Sequence, residues 1–418
     1  MSACNDIVII GNGAAAVGCI EGVRAHDKDV KITVVSAEKH PAYYRPLISY
    51  YLEGKSDPAL IGIKNDGFYA ENHVDIIYGK KAVSLDAKAK TVLLDDGEVV
   101  PYGKVCIAAG SSPFVPPFAG LDSVKKKHSF MTIDDAYALE KDLSPETRVF
   151  IVGAGLIGLK CAEGIRERVA DVTVCDLADR VLPSILDEEC SSLMAECLEK
   201  NGVTLMTGDS VERFDKNTAY MKSGRTVGFD VLVLAVGVRA NTSLVKDAGG
   251  DVGRGIAVDT HMKTSLGDVY AAGDCTECID ISSGAKKVIA ILPNARMQGR
   301  CAGANMAGAD EEFTKSVPMN AIGFFGLHAM TAGTRFSAED GGRECTVRHD
   351  GGVKKLFTKD GVLTGFMMVG HEDRVGIYTA MIREKTPLGE LDSEKLLGVP
   401  TLSVFGGDFR KKKLGGEG

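Results

Sequence analysis

A glycine-rich turn near the start of the chain has the residue types and spacing that bind the pyrophosphate of a dinucleotide. The run DIVIIGNGAAAVG at 6–18 places Gly11, Gly13 and Ala16 directly after an apolar segment typical of a β-strand. Glycines permit a tight turn and a close approach of the backbone to phosphate, and the N-terminus of the following helix supplies positive potential. A second apolar segment, KITVV, ends shortly before Glu38, a carboxylate suited to accepting hydrogen bonds from ribose hydroxyls.

The same pattern recurs later in the chain. The run RVFIVGAGLIGLKCAEG at 148–164 contains Gly153, Gly155 and Gly158, and the following segment DVTVCD ends in Asp176. A single glycine motif is weak evidence, because many such matches are only turns. Two complete units of strand, glycine turn, helix, strand and acid predict that the chain binds two dinucleotides.

Further apolar segments end in glycine and complete the two units. They are KVCIAAGSSP at 104–113, DVLVLAVGVRAN at 230–241 and GDVYAAGDC at 267–275, which places Gly273 and Asp274 directly after a predicted strand. The run LPNARMQGRCAGANMAG at 292–308 is predicted to be the helix that follows.

Together these segments resemble the two-dinucleotide-fold FAD/NAD(P)H oxidoreductases, in which a Gly-Asp pair lies near the ribityl chain of FAD, and the resemblance covers the whole chain. It implies an α/β protein with two Rossmann-like dinucleotide-binding domains, each of three layers with ββα/βαβ organisation, and a smaller α+β C-terminal domain. The implied boundaries are a discontinuous FAD-binding domain at 1–112 and 239–315, an NAD(H)-binding domain at 113–238 and a C-terminal interface domain at 316–418.

The order of the units assigns the cofactors. FAD is expected to lie between the first unit and Asp274, and NAD(H) to bind the second unit as an exchangeable cosubstrate. Asp176 favours NAD(H) over NADP(H), because a carboxylate hydrogen-bonds a free 2′-hydroxyl and repels a 2′-phosphate, although Arg180 nearby softens that preference. The residues expected to contact the cofactors are Gly11, Gly13, Ala16, Glu38, Arg45, Pro46, Ala82, Gly110, Gly153, Gly155, Gly158, Asp176, Gly237, Gly273, Asp274 and Asn294.

The run AYYRPLISYYLEGK at 42–55 contains no cysteine. Single-cysteine relatives such as NADH peroxidase carry a reactive cysteine that three residues separate from a Tyr-Tyr pair, and aligning that pair with Tyr50 and Tyr51 puts Pro46 in its place. Thiol chemistry requires a sulfur within bonding distance of the flavin, and proline supplies none. Cys275 and Cys278 form a Cys-x-x-Cys that is either a redox dithiol or, as we favour, a buried cysteine and a coincidence.

The run YYRPLIS instead resembles the branch that contains NADH:rubredoxin reductase, ferredoxin reductases and the flavoprotein part of nitrite reductase. That branch commonly carries Arg-Pro-Leu-x-Ser-Lys and Gly-Leu-Ile-Gly-x-Glu, whose lysine and glutamate can pair near flavin N5. Here Tyr50 replaces the lysine and Lys160 replaces the glutamate. We expect Lys160, predicted in the first turn of the second helix, to supply the cation beside N5; the alternative is a solvated lysine with Tyr50 packing beside it.

Composition and charge argue against nucleic-acid binding and against a membrane span. The net charge of −8 argues against nucleic-acid binding, which needs a basic face, and no apolar run reaches the ~20 residues needed to span a membrane. Eleven cysteines scattered through apolar segments indicate buried thiols in a reducing compartment, and no metal site is expected. These observations predict a soluble, cytoplasmic protein.

The resemblance implies an FAD-dependent NADH:acceptor oxidoreductase, of the class that acts on iron–sulfur proteins. Hydride would move between NAD(H) and FAD, and single electrons between FAD and a rubredoxin, a ferredoxin or an iron–sulfur subunit. One alternative is an NAD-facing flavoprotein subunit that is inactive outside a larger oxoacid or aldehyde oxidoreductase complex. A thiol-type NADH oxidase, peroxidase or disulfide reductase is the third possibility and is disfavoured by Pro46.

Overall fold

The structure is a computed structural model that describes residues 6–65, 67–349, 351–370, 374–388, 396–398, 400, 401 and 407. The helices are α1 (Ala14–His26), α2 (Ile48–Leu52), α3 (Phe68–Glu71), α4 (Ile133–Glu140), α5 (Leu156–Ile165), α6 (Glu188–Lys200), α7 (Ser243–Asp247), α8 (Leu292–Met306) and α9 (Val375–Arg383).

The strands of the first half of the chain are β1 (Ile7–Ile10), β2 (Ile32–Ser36), β3 (Val74–Tyr78), β4 (Ala82–Asp86), β5 (Thr91–Leu94), β6 (Val99–Pro101), β7 (Lys104–Ile107), β8 (Ser111–Pro113), β9 (Lys127–His128), β10 (Arg148–Val152), β11 (Asp171–Asp176), β12 (Val203–Thr207) and β13 (Val211–Asp215). Those of the second half are β14 (Thr218–Met221), β15 (Thr226–Gly228), β16 (Val231–Leu234), β17 (Val238–Ala240), β18 (Ile256–Ala257), β19 (Val269–Ala271), β20 (Thr276–Ile279), β21 (Lys286–Lys287), β22 (Met319–Phe324), β23 (Leu327–Gly333), β24 (Arg343–His349), β25 (Gly352–Lys359) and β26 (Val362–Val369).

Two parallel sheets of the same design hold the two glycine turns. The first has the strand order β19-β7-β1-β2-β3 and the second the order β12-β11-β10-β16-β9. In each sheet the strand that precedes the glycine turn is central, with Ile7 opposite Ile32 in the first and Val149 opposite Val172 in the second. Because β19 lies after the second unit in the chain, the first sheet draws on two separate segments.

Each parallel sheet is the middle of three layers. Ile7 and Ile9 of β1 pack on the side of α1 and α8, whereas Val8 and Ile10 pack on the side of the antiparallel sheet β4-β5-β6. In the second unit Val149 and Ile151 share a core with α5 and α6, and Phe150 packs against the antiparallel sheet β13-β14-β15. Strands covered on both faces explain why these segments are continuously apolar.

The C-terminal segment forms an antiparallel sheet with the order β22-β23-β26-β25-β24. α9 packs on it through the buried Tyr378, whose ring centroid lies 5.7 Å from that of Phe366. These layers confirm the predicted fold class of two Rossmann-like units and a smaller α+β segment. The domain boundaries at 112, 238 and 315 stay predictions.

None of the helices among the described residues combines the length and hydropathy that crossing a bilayer requires.

α1 and α8 approach each other closely because glycines on both helices face the partner backbone. A β-carbon built at Gly299 would lie 2.0 Å from the carbonyl oxygen of Ala15, and one at Gly18 would lie 2.2 Å from that of Arg296. Gly22 and Gly303 have equally close backbone neighbours. Since backbone atoms cannot rotate away, this contact requires residues without side chains.

We therefore expect Gly299→Ala to destabilise the protein by about 1–3 kcal/mol, the usual cost of overpacking. The measurement is the midpoint of urea-induced unfolding. Gly376→Ala is the matched control, because Gly376 lies in α9 with no atom within 4 Å of the added methyl group. The control should be neutral or slightly stabilising; equal stability of the two variants would contradict this account of the helix contact.

Candidate functional site

The first glycine turn leaves an open space at the N-terminus of α1. Gly11 has φ +109°, and a β-carbon there would lie 2.2 Å from the carbonyl oxygen of Ala108, so this position requires glycine. Gly13 is the residue before the helix, and a β-carbon built on it meets no atom within 4 Å. Ala16 is buried against the sheet. The turn therefore fits a pyrophosphate approaching the backbone at Gly13.

The second turn repeats this geometry. Gly153 has φ +118° and a β-carbon there would lie 2.2 Å from the carbonyl oxygen of Ala235, whereas Gly155 has open space. A β-carbon on Gly158 would lie 1.9 Å from the carbonyl oxygen of Gly153, so this glycine lets α5 pack onto its own turn.

The helices that follow the two turns begin differently from α4 and α6. α1 and α5 have no side-chain cap and no acidic residue in the first turn. α4 begins with a capping box at Thr132, and α6 is capped by Asp187. The free backbone N–H groups of α1 and α5 thus remain available for an anion, as phosphate binding requires.

The two strand-end carboxylates already have protein partners. Asp176 accepts hydrogen bonds from the backbone N–H groups of Ala154, at 2.7 Å, and Ala178, at 2.8 Å. Glu38 pairs with Arg45 and accepts a hydrogen bond of 2.6 Å from the Tyr43 hydroxyl. The bond from Ala154 fixes Asp176 beside the second glycine turn, and Tyr43 and Arg45 fix the orientation of Glu38. Each carboxylate oxygen retains a lone pair for a ribose hydroxyl.

Asp274, the third carboxylate among the predicted cofactor contacts, lies in the first unit. It is half-buried, and among the described residues no donor hydrogen-bonds its side chain. Burial raises the pKa of Asp274 above its usual value, and the Arg45 guanidinium opposes that shift. A half-buried acceptor with no donor, next to Gly273 at φ +85°, fits the hydroxyl groups of a flavin ribityl chain.

Arg45 links separate segments of the chain. In addition to Glu38, its guanidinium donates to the Tyr43 hydroxyl at 3.2 Å and to the carbonyl oxygen of Met131 at 3.3 Å. The backbone N–H of Ile133 donates to the same tyrosine hydroxyl. Arg45 and Tyr43 therefore hold the segment before α2 against the start of α4, and Tyr43 is a residue that the sequence did not single out.

Four other residues were predicted to contact a cofactor, and two of them have open space while two are buried. Gly110 and Gly237 both have positive φ and open space, and each directly precedes one of the paired strands β8 and β17. Ala82 is buried at the start of β4. The Asn294 amide is buried and donates to the carbonyl oxygen of Ile289, while its oxygen accepts from Ser316. Their contacts with a cofactor stay predictions.

The structure brings together the two residues expected to act beside the flavin. The Lys160 ammonium lies 5.4 Å from the centroid of the Tyr50 ring. It also donates to Glu163 Oε2 at 2.6 Å and to the carbonyl oxygen of Gly323. The predicted position of Lys160 in the first helical turn was wrong by one residue, because α5 begins at Leu156 and Lys160 is its fifth residue. The lysine is therefore less exposed to the helix dipole than the sequence suggested.

Glu163 was missed by the sequence reasoning. Its spacing of three residues from Lys160 on a helix was the available signal, since such residues are neighbours on one face. The glutamate side chain is 8% exposed and also accepts a hydrogen bond from the backbone N–H of Phe325, in the turn between β22 and β23.

The run at 42–55 carries no thiol of its own. Pro46 is exposed in a short 3₁₀ helix, Arg45–Leu47. Cys19 and Cys106 are buried, and a hydrogen bond with Cys19 together with burial raises the pKa of Cys106.

The Cys-x-x-Cys pair has separate partners. Burial raises the pKa of Cys275 to about 12, and its thiol donates to backbone carbonyls, including that of Ile107 at 3.3 Å. Cys278 contacts the hydroxyl of Ser316 at 3.1 Å. Both cysteines of the pair are buried and free, which supports the interpretation as buried thiols.

The sequence profile of the pyridine nucleotide-disulphide oxidoreductase family matches residues 5–299. The chain is 33% identical over 398 residues to the epsilon subunit of NADH-dependent phenylglyoxylate dehydrogenase from Aromatoleum evansii, covering 92% of this chain and 93% of that protein. It is 32% identical over 435 residues to NADH oxidase from Methanocaldococcus jannaschii, covering 95% of each. It is 27% identical over 327 residues to NADH-rubredoxin oxidoreductase from Clostridium acetobutylicum, covering 78% of this chain and 81% of that protein.

Solved structures share the fold. A NAD-dependent persulfide reductase from A. fulgidus superposes with a TM-score of 0.82 at 26% identity, covering 92% of this chain and 78% of that one. Putidaredoxin reductase in its covalent complex with putidaredoxin has a TM-score of 0.86 at 22% identity, covering 95% and 96%. The second likeness supports the fold alone.

The open space at Gly155 can hold an added methyl group but not a methyl group together with a pyrophosphate. Gly155→Ala should leave the unfolding midpoint unchanged, because its backbone conformation suits alanine and no atom lies within 4 Å. The concentration of nicotinamide nucleotide that half-reduces the protein should rise about tenfold, equivalent to about 1.4 kcal/mol, because the methyl group blocks the approach of pyrophosphate. Gly153→Ala should instead lower the unfolding midpoint. Unchanged nucleotide affinity in Gly155→Ala would contradict the assignment of the second turn.

Proposed function

Because this chain belongs to the pyridine nucleotide-disulphide oxidoreductase family, we propose that it is an NADH:acceptor oxidoreductase that exchanges electrons with an iron–sulfur protein. Its cofactor is FAD and its substrate is NAD(P)H. The proposed acceptor or donor is a rubredoxin, a ferredoxin or an iron–sulfur subunit. The direction of electron flow depends on the potential of that partner.

The single observation that carries this proposal is the proline at position 46. Cys19 and Cys106 are the cysteines that flank the run at 42–55 in the sequence, and both are buried in the layers around the first sheet. Thiol-type relatives need a sulfur within bonding distance of the ring. An exposed Pro46 in its place supports electron transfer by the flavin without a protein thiol.

The chain's residues divide the work between binding and orientation. Bound FAD supplies hydride acceptance from nicotinamide and one-electron exchange with the partner. The turn at Gly13 and the carboxylates of Glu38 and Asp274 would hold the FAD, and the turn at Gly155 would bring the nicotinamide nucleotide to it. Exclusion of water and stacking of the two rings would come from the packed layers around both turns.

Lys160 and Tyr50 would act at the reacting ring. Support comes from their contact, because the two positions correspond in the resembling branch to an ion pair near flavin N5. An ammonium there stabilises the negative charge of the reduced ring. The tyrosine, 37% exposed, would pack beside it.

A second candidate function has its own support. The 33% identity to the epsilon subunit of phenylglyoxylate dehydrogenase extends over nearly the full length of both chains. The chain would then be the NAD-facing subunit of a larger complex and would reduce no free carrier by itself. Co-elution with iron–sulfur subunits in size-exclusion chromatography of native material would favour this alternative.

A further prediction concerns nucleotide preference. In anaerobic titrations the flavin should be reduced at an NADH concentration about tenfold lower than that of NADPH, because the Asp176 carboxylate is fixed by two backbone N–H groups and repels a 2′-phosphate. The absorbance of the oxidised flavin is the measurement. Reduction by NADPH at an equal or lower concentration would defeat the NADH preference without affecting the rest of the proposal.

The thiol-free mechanism predicts that alkylation leaves electron transfer intact. Protein reduced with NADH and treated with iodoacetamide should pass electrons to rubredoxin or ferredoxin at the untreated rate, within about twofold, and should show little activity with peroxide or coenzyme A disulfide. Exposed Cys345 reports that the reagent has reacted. Loss of carrier reduction on alkylation, or a charge-transfer band between a thiolate and the flavin, would contradict the proposal.

A further inference from the structure

The Lys160 ammonium lies where three segments of the chain meet. α5 carries the lysine, α2 contributes the Tyr50 ring, and β22 contributes Phe324, whose ring centroid lies 4.8 Å from the ammonium. Phe324 is fully buried, so this side of the junction is closed to solvent. The ammonium thus lies between the first unit, the second unit and the C-terminal sheet, and 20% of the lysine side chain is exposed.

The Glu163 carboxylate is held from two sides at this junction. One oxygen accepts from Lys160 at 2.6 Å, and the other accepts from the backbone N–H of Phe325 at 2.7 Å. Phe325 has φ +49° in the turn that joins β22 to β23, so its N–H direction is set by the hairpin. The C-terminal hairpin therefore fixes Glu163, and Glu163 fixes Lys160.

These contacts limit what the ammonium can offer to another group. An ammonium has three N–H donors, and two of them are used by Glu163 and by the carbonyl oxygen of Gly323. A carboxylate at 2.6 Å also offsets most of the positive field that the lysine exerts at a distance, and in this poorly solvated junction the offset is strong. One donor and a reduced field remain for the cleft.

We propose that Glu163 is a positioning residue that restrains the Lys160 ammonium and offsets its charge, so that the C-terminal hairpin sets the reduction potential of the bound flavin. The inference rests on the role proposed above for Lys160. It predicts that removing the Glu163 charge strengthens the field of the lysine, stabilises the reduced flavin and raises its potential. Flavin reduction by NADH should become faster and electron delivery to a low-potential carrier slower.

The test measures the midpoint potential of the bound FAD in the full-length holoprotein against a reference dye. Glu163→Gln should shift the equilibrium toward reduced flavin by about tenfold, equivalent to about 30 mV for a two-electron couple. Lys160→Met should shift it by a similar factor in the opposite direction. In the double variant the substitution of Glu163 should raise the potential by less than it does in the wild-type protein, because the restraint of the ammonium is lost with the lysine while the carboxylate's own field remains.

The matched control is Glu167→Gln, which removes the same charge from an exposed position just beyond α5 and should leave the potential unchanged. FAD content and the unfolding midpoint verify the fold of each variant. If Glu163→Gln does not retain FAD, Glu163→Asp replaces it in the test, since it keeps the charge, lengthens the contact with Lys160 and should raise the potential by less than tenfold.

The outcomes separate this inference from the proposed function. An unchanged or lower potential in the Glu163 variant, or an equal rise in the Lys160→Met background, would overturn the positioning role while leaving Lys160 as the flavin cation. An unchanged potential in Lys160→Met would remove Lys160 from the proposed function and would overturn this inference with it.

Discussion

The site depends on one constraint, which is that the backbone must come within contact distance of a pyrophosphate twice in the same molecule. Both glycine turns follow a central parallel strand. In each turn the first glycine has positive φ and lies against the end of a neighbouring strand, and the second glycine faces open space. α1 and α5 then begin without a side-chain cap, so their N–H groups stay available. The layers on either side of the sheets hold these turns rigid, and the glycines shared by α1 and α8 are part of that support.

The charged groups around Lys160 are arranged differently from the lysine–glutamate pair that the resemblance implies. There, a lysine on the first unit faces a glutamate on the second. Here Tyr50 faces Lys160, and the compensating carboxylate comes from Glu163 on the same helix. Because Glu163 is also bonded to the Phe325 backbone, a change in the C-terminal sheet has a direct route to the ammonium.

The buried thiols among the described residues behave as small apolar side chains. Burial raises the pKa of Cys161, Cys175 and Cys275, so these groups remain protonated at neutral pH and are poor nucleophiles. The family name refers to disulphide chemistry, yet Pro46 lies in the segment where single-cysteine members carry their reactive sulfur. Fold and cofactors are thus shared across the family, while the chemistry beyond the flavin is decided by a few residues on one short helix.

Local sequence determined the parts of this protein that depend on neighbours along the chain. The glycine turns, the apolar strands that precede them, the helix at 292–308 and the missing thiol at Pro46 follow from residue type and spacing, because backbone conformation and strand burial are local requirements. The confirmed fold class follows from repeating that pattern twice.

The partners of charged side chains were decided by tertiary structure. Neither the pairing of Glu38 with Arg45 and Tyr43 nor the capture of Asp176 by backbone N–H groups follows from spacing alone. The bond between Glu163 and Phe325 joins residues 162 positions apart, and only the packing of the C-terminal hairpin against α5 brings them into contact.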